Sequence, residues 1–431
     1  MTELLINGEW VPAEGASTHD LIDPTNRKPL AVIQCASPAQ RQQALEAARA
    51  AFEGWKSHPV ADRASLVGEI SDEIWQAGGA LAERQVFESG QPLRECQDLV
   101  ANAVRRLRRR QSGLSTEDNR ESSCARTLRL PRFGLWPFWE DALTWISLGA
   151  TLVCEVPADQ PLAALAVARC SRRLPPGVLN VVTVEPDGEA SPQNEVATEF
   201  VYVGEDADID VAVAGAAALR LYNSGQRAGQ SVRIHVEAAL AYRFADRLHE
   251  HLAFLEAGDP RKSATDLGPI RCEAALQRAI QQIGDGLKQG ALVKLGGRPY
   301  QPWGLTGFFL QPTLLIEGSG AERTPHEAIS APVVIVSPTT DFGAAMRESA
   351  GATHSPLRVT AFTGELRKLE RSLRAASFEP RAGGYTPLVD RSWPQTPESG
   401  TDHVRGWVSL ELIAKRQADW FPYKERRGMK L

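Results

Sequence analysis

Residues 221–230, "LYNSGQRAGQ", have the composition of a reactive loop, with Asn223, Gly225 and Gln226 leading to a flexible Gly229. Covalent catalysis from such a loop needs a thiol, hydroxyl or amine at its tip. The tip here is Arg227-Ala228-Gly229, and none of these side chains attacks a carbonyl. Sliding the register by one or two residues reaches only Arg227, Gly229 or Gln230. The loop is built for a nucleophile and carries none.

Other reactive side chains do not replace it. Six cysteines stand singly at Cys35, Cys96, Cys124, Cys154, Cys170 and Cys272, with no CxxC spacing, so no metal knuckle or redox motif is expected. They read as small apolar residues of a reducing compartment. His249 and His251, in "DRLHEHL", are two apart and do not share a helix face; no metal site is expected. The run Arg105-Arg106-Leu107-Arg108-Arg109-Arg110 closes a helical pattern, where cations suit the helix C-terminus. No aromatic residues interleave it, so it reads as a solvated face and not as a nucleic-acid patch.

Composition supports these exclusions. A net charge of −5 argues against a dedicated partner among nucleic acids or anionic membranes. No run approaches the ~20 apolar residues of a membrane span, and "MTELLINGEW" lacks the pattern of a signal peptide; a cytoplasmic protein is expected.

The elements that must position the loop follow from periodicity. "LLINGEWVPAEG" alternates and is expected to form an opening strand and hairpin turning at Glu14-Gly15. "SPAQRQQALEAARAAFEGW" predicts a helix capped by Ser37, its apolar face marked by Ala44, Ala47, Ala48 and Ala51. Two helices broken at Gly78-Gly79 and closed by Gly90 follow, then a helix with Val100, Val104 and Leu107 as its buried stripe. "TLRLP" (127–131) predicts a short strand. From Leu148 the pattern alternates strand and helix: "ATLVCEV", "PLAALAVARCSRRL", "GVLNVVTV", later "SVRIHV", "FFLQPTLLI" and "APVVIVSP". Such alternation predicts α/β architecture with parallel sheets, here two domains in series.

With these elements in place, the chain resembles the NAD(P)-dependent aldehyde dehydrogenase superfamily over nearly its whole length. The strings "INGEWVPA", "IDPTN", "ESGQPL", "LPPGVLNVVT", "EDADIDVAV", "NSGQ", "AGDPRKSATDLGPI" and "GFFLQPTLL" carry the likeness through their order and spacing. The resemblance implies a cysteine nucleophile, an asparagine oxyanion donor, a glutamate base and a dinucleotide. The nucleophile position matches Ala228. The stretch matching the asparagine-bearing string is "FGLWPFWEDALTWIS", which has no Asn; its Trp136, Phe138 and Trp139 read as core packing or as a plug of the former substrate tunnel. Between Thr183 and Asp206 the chain is roughly thirty residues short of the family pattern. That segment would hold the base and the helix start that binds the cofactor pyrophosphate. Glu195 or Glu199 are candidate substitutes for the base. The family's ribose-binding lysine matches Glu155, and its nicotinamide-ribose glutamate matches Ala328.

The resemblance therefore implies an aldehyde-dehydrogenase-like α/β fold. A truncated Rossmann-type cofactor domain is expected over 1–117 and 133–220, and a catalytic-type domain over 221–402. Oligomerisation elements are expected at 118–132, with the strand Thr127–Pro131, and at 403–431, with the strand Ser409–Ile413. The expected function is that of a pseudoenzyme, with no catalytic residue and neither NAD nor NADP bound. It would be a non-catalytic subunit or scaffold assembling with itself or with an active aldehyde dehydrogenase. Two alternatives stay open: an oxidoreductase or weak esterase using substitute residues, and a small-molecule sensor.

Overall fold

The computed structural model describes residues 2–112, 125–132, 134–186, 198–227, 233–318, 329–352 and 357–363. The chain divides into two compact units. The first comprises Met1–Gln193 with Asp259–Ser263 and Leu305–Gly307, and the second the remainder. The division falls at Gln193/Asn194, ahead of the expected one near residue 220.

In the first unit β1 (Glu3–Ile6) and β2 (Glu9–Pro12) form a hairpin. It turns at Asn7-Gly8, not at Glu14-Gly15. Asn7 (φ 51°) and Gly8 (φ 84°) are both left-handed, as a two-residue turn matched to strand twist requires. A second hairpin joins β3 (Thr18–Ile22) and β4 (Pro29–Gln34). Helix α1 (Pro38–Ser57) begins in a complete capping box between Ser37 and Gln40 and buries Ala44, Ala48, Phe52 and Trp55. Helices α2 (Val60–Gln76), α3 (Gly78–Ser89) and α4 (Leu93–Ser112) follow. Gly90 closes α3 at φ 73°, a left-handed cap that favours glycine. Val100, Val104 and Leu107 are buried on α4 as predicted.

Strand β5 (Arg126–Arg129), helix α5 (Leu135–Ser147), β6 (Leu152–Pro157), α6 (Pro161–Arg169) and β7 (Leu179–Val184) complete this unit. The sheet runs β2-β1-β7-β6-β5, with β5, β6 and β7 parallel. β5 was expected to serve assembly; here one of its edges is engaged by β6, in the register Arg126↔Leu152 to Arg129↔Glu155. The arginine run on α4 is not left to solvent alone. Arg106 clamps Glu140, Arg108 meets Asp72 and Arg110 meets Asp141.

The second unit has a six-stranded sheet ordered β10-β11-β12-β9-β8-β13. Its members are β8 (Thr198–Val203), β9 (Arg233–Glu237), β10 (Leu292–Leu295), β11 (Thr313–Ile316), β12 (Val333–Thr339) and β13 (Leu357–Phe362). All neighbours are parallel except β10 and β11. Helices α7 (Ile209–Leu221), α8 (Ala238–Ala253), α9 (Glu273–Lys288) and α10 (Phe342–Ala352) belong to it. α7 carries no wet face to speak of. Nine of its residues are buried, including Ala212, Ala216 and Leu219, so the helix leading into the candidate loop is a core element. The predicted assembly strand Ser409–Ile413 lies outside the described residues.

Candidate functional site

α7 starts at Asp208, whose carboxylate accepts from the amides of Asp210 and Val211. It ends at Leu221, where the chain enters a tight turn, Tyr222–Gly225. Asn223 (φ 53°), Ser224 (φ 52°) and Gly225 (φ 72°) are left-handed in succession. For non-glycine residues that conformation costs on the order of 1 kcal/mol or more and persists only where surroundings impose it.

The surroundings do so. The Ser224 hydroxyl donates to the Gly268 carbonyl at 3.0 Å. The Gln226 amide side chain donates to the Pro269 carbonyl at 3.1 Å and accepts from the Arg271 amide at 2.8 Å. Arg220, 2% exposed, donates to the carbonyls of Gly225 (2.8 Å), Ile329 (2.6 Å) and Ala331 (2.9 Å). At Gly225 a Cβ would fall 2.2 Å from the Ala331 carbonyl oxygen, so that position admits no side chain. The loop is held in a strained, reactive-loop geometry from two directions. Ala228 and Ala328 themselves lie outside the described residues, as does Glu195; Glu199 sits within β8.

The thiols of the first unit are not poised to react. Burial raises those of Cys35, Cys96 and Cys154, and pushes Cys170 up to about 11. Cys272 differs, and the spacing rules passed over it. It is partly exposed and occupies the N-cap of α9, directly after the segment Gly268–Arg271 that is bonded to the loop. The signal available in the sequence was its place just before a helical pattern, since helix starts favour thiolates. Among the described residues no group of acidic, cysteine and histidine side chains could hold a metal. His249 bonds the Lys294 carbonyl at 3.1 Å.

Trp136, Phe138 and Trp139 are buried on α5 within the core of the first unit. Trp136 donates to Gln85 (2.9 Å), Gln85 to Gln91 (2.8 Å) and Gln91 to Glu95 (3.0 Å). This chain of bonds answers the polar atoms that the core would otherwise strand, and core packing accounts for all three aromatic residues.

Glu155 sits in β6 with Arg129 opposite it on β5, Nη1 to Oε2 at 3.3 Å. Arg129 also donates through Nη2 to the Glu185 carbonyl at 2.7 Å. The negative charge of Glu155 is therefore compensated, and the parallel carboxyl ends of β5, β6 and β7 remain. Such ends are where α/β sheets bind ligands.

The aldehyde dehydrogenase family model matches residues 10–128 and 197–380. The succinate-semialdehyde dehydrogenase [NADP(+)] of Escherichia coli is 24% identical over 77% of this chain and 79% of its own. An aldehyde dehydrogenase of Bacillus cereus, solved as an NAD+ complex, superposes with a TM-score of 0.76 at 21% identity, covering 86% of each chain. A cysteine-to-alanine variant of Pseudomonas syringae aldehyde dehydrogenase C, solved with NAD+ and octanal, gives a TM-score of 0.76 at 22% identity with the same coverage.

These complexes overturn the expectation that neither NAD nor NADP is a partner. The same fold holds NAD+ in both relatives. The expectation weighed Glu155 as an isolated negative charge, whereas Arg129 neutralises it. No helix among the described residues is long and apolar enough to cross a membrane. With the family model matched on both sides of the shortened segment and the α/β architecture in agreement, the chain belongs to the aldehyde dehydrogenase family.

Proposed function

We propose that this chain is a nucleotide-binding, non-catalytic member of its family, serving as a subunit or scaffold with itself or with an active aldehyde dehydrogenase. One observation carries the reading: the braced loop leads to Ala228, where thiol chemistry has no atom to begin with. The loss of a cysteine is compatible with ligand retention, since the Pseudomonas syringae variant keeps both NAD+ and octanal. Persistence of the strained turn beside an inert residue supports a role for the fold itself.

The test is direct. Purified protein is titrated with NAD and NADP and assayed with a panel of aldehydes. Binding without sustained formation of reduced cofactor is expected; steady turnover above a mock preparation sinks the proposal. Light scattering and pull-down from the native host test the assembly. A monomer that captures no dehydrogenase removes the scaffold role.

Cys272 favours a second reading, a weak esterase or oxidoreductase with a substitute thiol. Its partial exposure and N-cap position set it apart from the buried cysteines. Under that reading an activated ester is hydrolysed and Cys272→Ser abolishes the hydrolysis; equal rates for both proteins exclude it.

A further inference from the structure

The first unit contains a cleft of about 580 Å3 lined in part by Arg129, the last residue of β5, and Val184, the last residue of β7. The opposite wall is formed by Gly15–Ser17, Cys35 and Arg41 in the first turns of α1. This volume lies within the range of roughly 300–1,000 Å3 typical of small-molecule sites, and it opens at the carboxyl end of a parallel sheet.

Its charges are unevenly held. Arg129 is fixed by Glu155 at 3.3 Å and the Glu185 carbonyl at 2.7 Å, so its guanidinium is oriented and its charge largely offset. Arg41 is exposed and makes no hydrogen bond or salt bridge among the described residues. Arg41 and Glu185 act on the Cys35 thiol in opposite senses, which places both charges on the same space. The helix start of α1 supplies little: Ser37 already takes the Gln40 amide, and Pro38 has none.

We infer that this cleft takes a phosphate monoester between Arg41 and Arg129, and that through it the chain prefers NADP to NAD. The inference rests on the nucleotide-binding reading above. Two guanidiniums on facing walls suit the terminal oxygens of a dianion, because each planar fork donates in parallel. The Glu185 carboxylate and Ser17 hydroxyl are placed to meet sugar hydroxyls in the remaining volume. A ribose bearing a free 2′-hydroxyl would leave Arg41 without an anion, whereas a 2′-phosphate supplies one.

Calorimetric titration of the full chain with NADP, NAD, 2′-AMP, adenosine and inorganic phosphate tests this. NADP should bind at least about tenfold more tightly than NAD, and 2′-AMP more tightly than adenosine by a similar factor, the scale of one charge-assisted contact. Arg41→Gln should remove most of that preference and leave NAD affinity within about twofold, with an unchanged melting temperature because Arg41 is exposed. Equal affinities for NADP and NAD, or an Arg41→Gln protein that still prefers NADP, overturn the inference while the nucleotide reading stands. Arg41-dependent binding of 2′-AMP with neither dinucleotide bound has the opposite meaning: the phosphate site holds and the nucleotide reading fails.

Discussion

Arg220 is the brace on which the candidate loop depends, and its removal has a calculable consequence. Its guanidinium satisfies the carbonyls of Gly225, Ile329 and Ala331 at 2.6 to 2.9 Å from a site 2% exposed. Arg220→Met keeps an unbranched stem of similar shape but removes every donor. A buried carbonyl left without a partner costs about 1–3 kcal/mol, so three give a lower bound near 3 kcal/mol. Partial entry of water caps the total at about 5 kcal/mol. The second unit should lose about that much stability, read from urea denaturation and from native-state hydrogen exchange of α7 and β12 amides. The Gln226 amide, bonded at 3.0 Å to the Asn223 carbonyl, should exchange at least tenfold faster as the left-handed turn relaxes. A loss below about 1 kcal/mol, with Gln226 still protected, would show that the turn keeps its geometry without Arg220 and would refute the reasoning.

Three further outcomes are expected. Glu317→Ala strands Arg233, whose guanidinium it binds through two contacts of 3.0 and 2.8 Å; a buried pair broken on one side costs about 3–5 kcal/mol, measured by chemical denaturation. Glu140 is held above the usual carboxylate range by burial, which outweighs the opposing hydrogen bond and charge of Arg106. The folded state thus binds the extra proton, and stability relative to Glu140→Gln should fall as pH rises from its unfolded value through the raised folded one, then level off; a difference that grows with pH contradicts this. Ser37→Ala removes the α1 cap and should lower stability by about 1 kcal/mol, visible as a reduced melting temperature.

Much of the scaffold was legible because its signals are local. Ser37 with Gln40 three residues on announces α1 through hydrogen bonds closed within one turn. Gly90 marks the end of α3 because only its own backbone angle is involved. Even the misplaced first turn had a local sign: Asn7-Gly8 is a two-residue hairpin pair, overlooked in favour of the next glycine. The missing nucleophile is a matter of residue identity alone, and no fold can add a thiol to Ala228.

What escaped the sequence were properties of pairs. Arg129 and Glu155 are separated by α5 in the chain, yet parallel pairing of β5 with β6 sets them side by side. Read singly, Glu155 is a charge that repels a dinucleotide; read with Arg129, it is neutral ground beside a cleft. The arginines of α4 likewise found Glu140, Asp72 and Asp141 only once helices packed. The division at Gln193/Asn194 follows from the same cause, since α7 packs with the helix and sheet of the second unit. Residue types and local caps are written one position at a time, so the sequence by itself determined which chemistry the loop lacks and where α1 and α3 begin and end. Charge compensation and domain membership depend on distances between remote residues, and Coulomb energy at 3 Å is set by strand register that only the tertiary structure decides.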